Sequence, residues 1–272
     1  MNLKIIKNSI KRRLIIIGNT GGEENYCGSV IEDRKNYLAY FKTPEGGYWF
    51  DNEIIAPDVN TWTKERLAAV MDEQEKDGRV NYWLIVFAGH GWENNEGHPY
   101  LELYPEAPAS EDLPVDWLVE RVKNSSCLLI ADCCRGNYPL LESVRDSNAR
   151  VRMFSRGGKI GYNLRCRSLY NQQVAMLYPG LFVMGTAASY NEAAKNMPTD
   201  EGGMYSYHLL ENAYKVIEKY QKNPEGDKVV SFSYIHSLAK PEVIRLSKGK
   251  QHPELYYERG AQPPFCVIPE WR

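Results

Sequence analysis

Two short stretches of this chain put reactive side chains where chemistry can be done. One is Gly89-His90-Gly91 and the other is Asp132-Cys133-Cys134-Arg135-Gly136. A histidine between two glycines is not an obvious core residue, because glycine lets backbone and substrate approach closely and accepts positive φ. A thiol becomes a nucleophile once a neighbouring base takes its proton. Imidazole is the usual base for that task near neutral pH. Each stretch follows an apolar run that reads as a buried strand, 80–88 in one case and 126–131 in the other. Thiol and imidazole at the ends of such strands lie one or two strand spacings apart, ~5–10 Å. That is the arrangement of a Cys–His pair, within hydrogen-bond reach at rest or on substrate binding.

A third strand end, Gly18-Asn19-Thr20-Gly21-Gly22, hints at a dinucleotide site. It does not fit Gly-x-Gly-x-x-Gly and carries no Gly-Lys-Ser/Thr, so a nucleotide is not expected there. The six cysteines show no Cys-x-x-Cys spacing, and no His-x3-5-His pair accompanies them, so zinc is not expected either. Six are too few for a disulfide scaffold at this length. Cys127 and Cys266 read as small buried hydrophobes. His98, His208, His236 and His252 read as helix or loop residues. Trp83, Phe87 and Tyr82 read as core.

The elements that position these residues alternate. Strands are expected over 12–18, 80–88, 126–131 and 180–187, each a short apolar run. Helices are expected over 29–42, 63–77, 114–123 and 204–220, with a further one in 229–247 broken by Pro241. Residues 99–104 read as a hairpin arm and 262–268 as a last short strand. Residues 137–178 read as irregular and basic, with Arg145, Arg150, Arg152, Arg156, Lys159, Arg165 and Arg167 against Asp146 alone between 145 and 167. Apolar strands alternating with helices imply a mostly parallel sheet covered on both faces, a three-layer α/β/α sandwich. Sites in such sheets form beyond the carboxyl ends of the strands, where the loaded loops lie.

With 272 residues the chain can bury a core without staples. Its 43% hydrophobic and 25% charged residues exclude a disordered chain. The net charge of −2 lacks the basic footprint of a nucleic-acid binder. No apolar run approaches the ~20 residues of a membrane helix. The N-terminus has no apolar segment with a small-residue cleavage site. A cytoplasmic protein with reduced thiols is expected, with no nucleic-acid or membrane partner.

The motifs taken together resemble the caspase-like cysteine peptidases. Asp132-Cys133-Cys134-Arg135-Gly136 is similar to the caspase loop Gln-Ala-Cys-Arg-Gly and the metacaspase loop Asp-Ser-Cys-His-Ser-Gly. Phe87-Ala88-Gly89-His90-Gly91 resembles aromatic-Ser-Gly-His-Gly. Gly203-Met204-Tyr205-Ser206-Tyr207-His208-Leu209-Leu210 resembles the helix start of the small-subunit region, and Gln251-His252-Pro253-Glu254-Leu255 the Gln-x-Pro-x-Leu near the C-terminus. The resemblance spans residues 12–267, read as one peptidase domain. It divides into a large-subunit-like half, 12–136, a basic linker, 137–178, and a small-subunit-like half, 179–267. In motif it is nearest to the metacaspases.

The resemblance implies a cysteine endopeptidase with Cys134 as nucleophile and His90 as general base. Cys133 is out of register, because the family nucleophile directly precedes the Arg or His of its loop. Backbone N–H groups of Gly91 and Cys134 would form the oxyanion hole. Asp132, two residues before the nucleophile, and Asp33, on the helix after the first strand, would line the pocket for the residue ahead of the cut. Two carboxylates there favour Arg or Lys and repel Asp. Ala88 stands where the family has a pocket Ser. The acidic residues Glu93, Glu96, Glu111 and Asp112 are too sparse to predict a calcium site, and no cofactor is expected. The basic linker is an expected site of self-processing, and an activating partner protein is the other expected route of control. A caspase-fold module that binds and regulates without cleaving is the alternative from another class. The presence of both Cys134 and His90 argues against it.

Overall fold

The computed structural model describes residues 10–105, 107–136, 160–199, 201–257, 260 and 262–270. Its centre is a six-stranded sheet. Four strands are parallel neighbours in the interior: β1 (Arg12–Gly18), β3 (Tyr82–Gly89), β7 (Ser126–Cys133) and β8 (Phe182–Thr186). The short β2 (Ile54–Ile55) adds in parallel beyond β1, and β10 (Glu254–Tyr257) pairs antiparallel with β8 at the other edge. The strand order β10-β8-β7-β3-β1-β2 puts β3 and β7 side by side, with Gly89 opposite Cys133. Those strands are buried along nearly their whole length, as continuous apolar runs covered on both faces must be.

Two apolar layers flank the sheet. One face, carrying Leu14, Leu84 and Ile130, is covered by α1 (Ser29–Lys42), α4 (Ile160–Ala175), α5 (Met204–Lys222) and α6 (Phe232–Leu246). The opposite face, carrying Ile15, Ile85 and Leu129, is covered by α2 (Lys64–Glu75), α3 (Val115–Arg121) and a small antiparallel sheet of β4 (Gly91–Glu93), β5 (Pro99–Leu101) and β6 (Leu113–Pro114). Alternation along each strand sends successive side chains to opposite layers. β9 (Lys228–Ser231) and β11 (Pro264–Ile268) form a separate antiparallel pair. Among the described residues no helix is long and apolar enough to cross a membrane.

Three expectations need correction. Residues 160–175 are helical, not irregular. Cys166, Leu169, Tyr170 and Val174 make a buried stripe at helical spacing, and the arginines between them are paired, Arg165 with Asp227 and Arg167 with Glu53. Residues 137–159 of the basic linker lie outside the described residues. Pro241 does not break α6. It lies on the exposed side, and the carbonyl it leaves without a donor belongs to Ser237, also exposed and reachable by water. The first residues of 229–247 belong to β9, with Ser231 capping α6 by accepting the Tyr234 N–H. β10 was not foreseen.

Candidate active site

His90 emerges from the carboxyl end of β3 through Gly89, whose φ of +151° and close approach to Asn19 leave no room for a side chain. The imidazole is 5% exposed. The loop of residues 19–25 lies over it so closely that a Cβ on Gly21 would sit 2.6 Å from Nε2. Nε2 has no hydrogen-bond partner among the described residues. Burial lowers the imidazole pKa, and backbone groups of Thr20 and Asn25 oppose the shift. The ring is therefore neutral at neutral pH and able to accept a proton.

Cys134 follows β7 and is 4% exposed. Its Sγ accepts the backbone N–H of Ala194 at 3.3 Å. Burial pushes its pKa up to about 11, with the Asp132 and Glu102 carboxylates adding to the rise. Cys133 points the other way, into the apolar layer with Leu101 and Ala131, and burial raises its thiol too. That contrast favours Cys134 over Cys133 as the available thiol. Among the described residues no hydrogen bond joins His90 to Cys134. The register of β3 on β7, with Gly89 opposite Cys133, sets His90 and Cys134 at neighbouring strand ends. Gly91 allows the histidine turn to close on the thiol loop: a Cβ there would lie 2.9 Å from Cys133 Sγ and 3.2 Å from the Cys134 carbonyl oxygen.

The two expected acids converge. Asp33 accepts the Gly203 N–H with both oxygens, at 2.9 and 3.0 Å, and Asp132 Oδ2 accepts the Ser206 N–H at 2.8 Å. Both therefore sit at the N-terminus of α5, where unpaired N–H groups and the helix dipole favour negative charge. A Cβ on Gly203 would reach within 2.3 Å of Asp132 and 3.0 Å of Asp33. Burial, and for Asp33 the neighbouring Asp132 charge, raises both pKa values. Ala88 lies opposite Asp132 across β3 and β7 and is buried in a small cluster with Cys27, Val30 and Val59.

Residues 194–197 link thiol and acids. Beyond the Ala194 contact, Met204 N–H reaches Lys195 O, Asn196 bridges to Gly203, and Asn196 Oδ1 accepts from Ser29 Oγ. Gln251, fully buried, accepts the Lys195 N–H and donates to Ala187 O, so the C-terminal motif braces this segment. His252 pairs with Glu192 at 2.6 Å. Arg135 went unassigned in the sequence. Its Nε donates to Glu93 on β4 at 2.6 Å and its Nη1 to Glu254 on β10 at 2.7 Å, with Tyr256 a further partner. Its backbone exchanges hydrogen bonds with Asn191 and Glu192. No local pattern reveals this clamp, because its partners are remote in sequence. His98, paired with Asp116, and His236, bonded to Tyr205, belong to other neighbourhoods.

No group of three or more metal-ligating side chains occurs among the described residues. No protein-family model matches the chain, and no curated protein does.

Proposed function

We propose that this chain is a caspase-like cysteine endopeptidase that cleaves peptide bonds after Arg or Lys. The observation that carries the reading is the convergence of Asp33 and Asp132 on one helix turn, beside a thiol whose strand neighbour ends in a histidine. Burial, and for Asp33 the Asp132 charge, raises both pKa values, so the pair favours holding a proton more than free carboxylates do. An arriving guanidinium or ammonium group replaces that proton and is bound by two charges in a water-poor site. An aspartate side chain is repelled there.

The substrate carbonyl is attacked by Cys134 Sγ while the thiol proton passes to His90. The Gly91 and Cys134 N–H groups receive the oxyanion. Collapse breaks the C–N bond, and His90 returns its proton to the departing amine, leaving a thioester on Cys134. Water then attacks the thioester, giving a carboxylate product and regenerating the thiol. Cleavage within the basic linker is part of this proposal, since that segment supplies arginines in sequence. The test is hydrolysis of fluorogenic peptides ending in Arg, Lys or Asp by wild type and Cys134→Ala. Turnover of the Arg and Lys peptides that is lost in the variant supports the reading. Turnover of the Asp peptide overturns the roles of Asp33 and Asp132.

The second reading, a binding module, draws on the resting thiol being protonated and not bonded to His90. It requires that basic peptides bind without being cut.

A further inference from the structure

Glu102 is a carboxylate without a partner beside the proposed reaction centre. Its backbone is fixed: Glu102 N–H donates to His90 O at 3.0 Å, and its carbonyl accepts from Asn19 Nδ2 at 2.7 Å. It follows Leu101, which pairs with Gly91 across β4 and β5. Leu101 and Leu103 both point into the apolar layer that also holds Cys133. Strand alternation therefore turns Glu102 away from that layer, toward the strand ends. There its charge acts on Cys133 and Cys134. Among the described residues no cation and no hydrogen-bond donor meets its side chain. The half-buried carboxyl has its pKa raised to about 7, chiefly by burial and then by Asp112. Asp112 itself is held by Trp92 Nε1 at 2.7 Å and gives Glu102 no compensation.

The position of Glu102 relative to the other acids assigns it a side of the substrate. Asp132 and Asp33 contact α5, in the layer built on Leu84 and Ile130. Glu102 rises from the small sheet covering the opposite face. Cys134 follows Asp132 by two residues at the end of β7, and Glu102 N–H is bonded to the His90 carbonyl at the end of the neighbouring β3. A peptide whose side chain ahead of the cut enters the Asp33–Asp132 pocket on one face can carry its leaving half toward the other.

We propose that Glu102 is a specificity-determining residue for the leaving half of the substrate, pairing with a Lys or Arg in the first two positions after the scissile bond. This rests on the peptidase reading above. It deepens that reading from a single basic residue to basic residues on both sides of the cut. A half-buried carboxylate left without a counter-ion is unfavourable, and a substrate cation relieves that cost while an acidic side chain adds to it.

The test uses internally quenched peptides that share Arg ahead of the bond and differ only after it, carrying Lys, Ala or Glu. The wild-type protein should show kcat/KM in the order Lys, Ala, Glu, with Lys over Glu on the order of 10-fold or more. Glu102→Gln, nearly isosteric at a side chain with no hydrogen bond or ion pair among the described residues, should collapse that ratio toward one. Glu102→Lys should invert it. A wild type that cleaves all three after Arg at equal kcat/KM overturns the inference and leaves the peptidase reading standing. A preference for Lys that survives in Glu102→Gln also overturns it. Failure of wild type to cleave any peptide overturns both.

Discussion

Cys134 and His90 both rest uncharged. The thiol pKa is near 11 and the imidazole pKa is lowered, each because burial penalises the charged form. The proton must therefore move when substrate is bound rather than beforehand. Substitution of Cys134 by Ala is expected to lower kcat/KM on the order of 10⁴-fold or more, as for other nucleophiles that act as a unit with their base. His90→Ala should fall comparably, and the double variant should be no worse than either. Full additivity of the two losses would count against a Cys–His unit.

The acid pair makes a prediction of opposite sign for stability. A carboxyl whose folded pKa is raised holds a proton that the unfolded chain releases. Its favourable contribution is complete below the ordinary value of 3.8 and is lost as pH rises through the folded value. The pair therefore contributes less stability at pH 8 than at pH 4. Asp33→Asn, which keeps an oxygen for the Gly203 N–H, should stabilise the protein by about 1 kcal/mol at pH 8 and by less at pH 4. The same variant should lose most of its preference for Arg peptides. Urea unfolding at the two pH values, with peptide kinetics alongside, checks both halves. A loss of stability at pH 8 would show that the carboxylates act chiefly as helix caps.

At the scale of elements, the site is assembled by segments that share few local contacts. Arg135 ties the thiol loop to β4 through Glu93 and to β10 through Glu254, while its side chain is 6% exposed. Removing one member of a buried ion pair leaves the other uncompensated, which costs about 3–5 kcal/mol. Arg135→Ala is expected to destabilise the fold by that order and to lower kcat by more than it raises KM, because the loop carrying Cys134 loses its register against the histidine turn. A denaturation midpoint together with separate kcat and KM values tests this. The helix α4 shows the same logic at the opposite end of the sheet. Arg167 joins it to Glu53, which also pairs with the fully buried Arg12, and Tyr170 packs under that guanidinium.

For the molecule as a whole, the apolar layer under α1 and α5 draws side chains from both sides of residues 137–159. Leu14, Phe41 and Leu84 share it with Tyr170, Leu209 and Phe265. β7 and β8, one from each side, are hydrogen-bonded neighbours. A chain cut at any bond within 137–159 should therefore remain a single particle. Gel filtration of protein cleaved there should give one peak at the intact elution volume, and two fragments should appear only in denaturant. Separation in native buffer would mean that this layer is too weak to hold without covalent linkage.

Much of this was legible in the sequence. The four interior strands are continuous apolar runs, and such runs have few other fates, so β1, β3, β7 and β8 are found within a few residues of where they are expected. His90 and Cys134 were legible for the same reason: each stands at the end of a strand whose course was already clear. Asp33 and Asp132 could be placed in one pocket only through the resemblance, and nothing local in either stretch shows what holds them there. Their meeting depends on α5, which lies far along the chain and whose free N–H groups draw both carboxylates to one point. α4 escaped because its buried stripe is interleaved with arginines, and their charge is neutralised only by Glu53 and Asp227 from distant segments. Arg135 and Glu102 escaped because their significance lies in partners present in one case and absent in the other. What a stretch of chain determines by itself is its local period and its own reactive groups. Whether a charge is paired, shared or left open depends on which segments tertiary packing carries to it, and that was decided only by the fold.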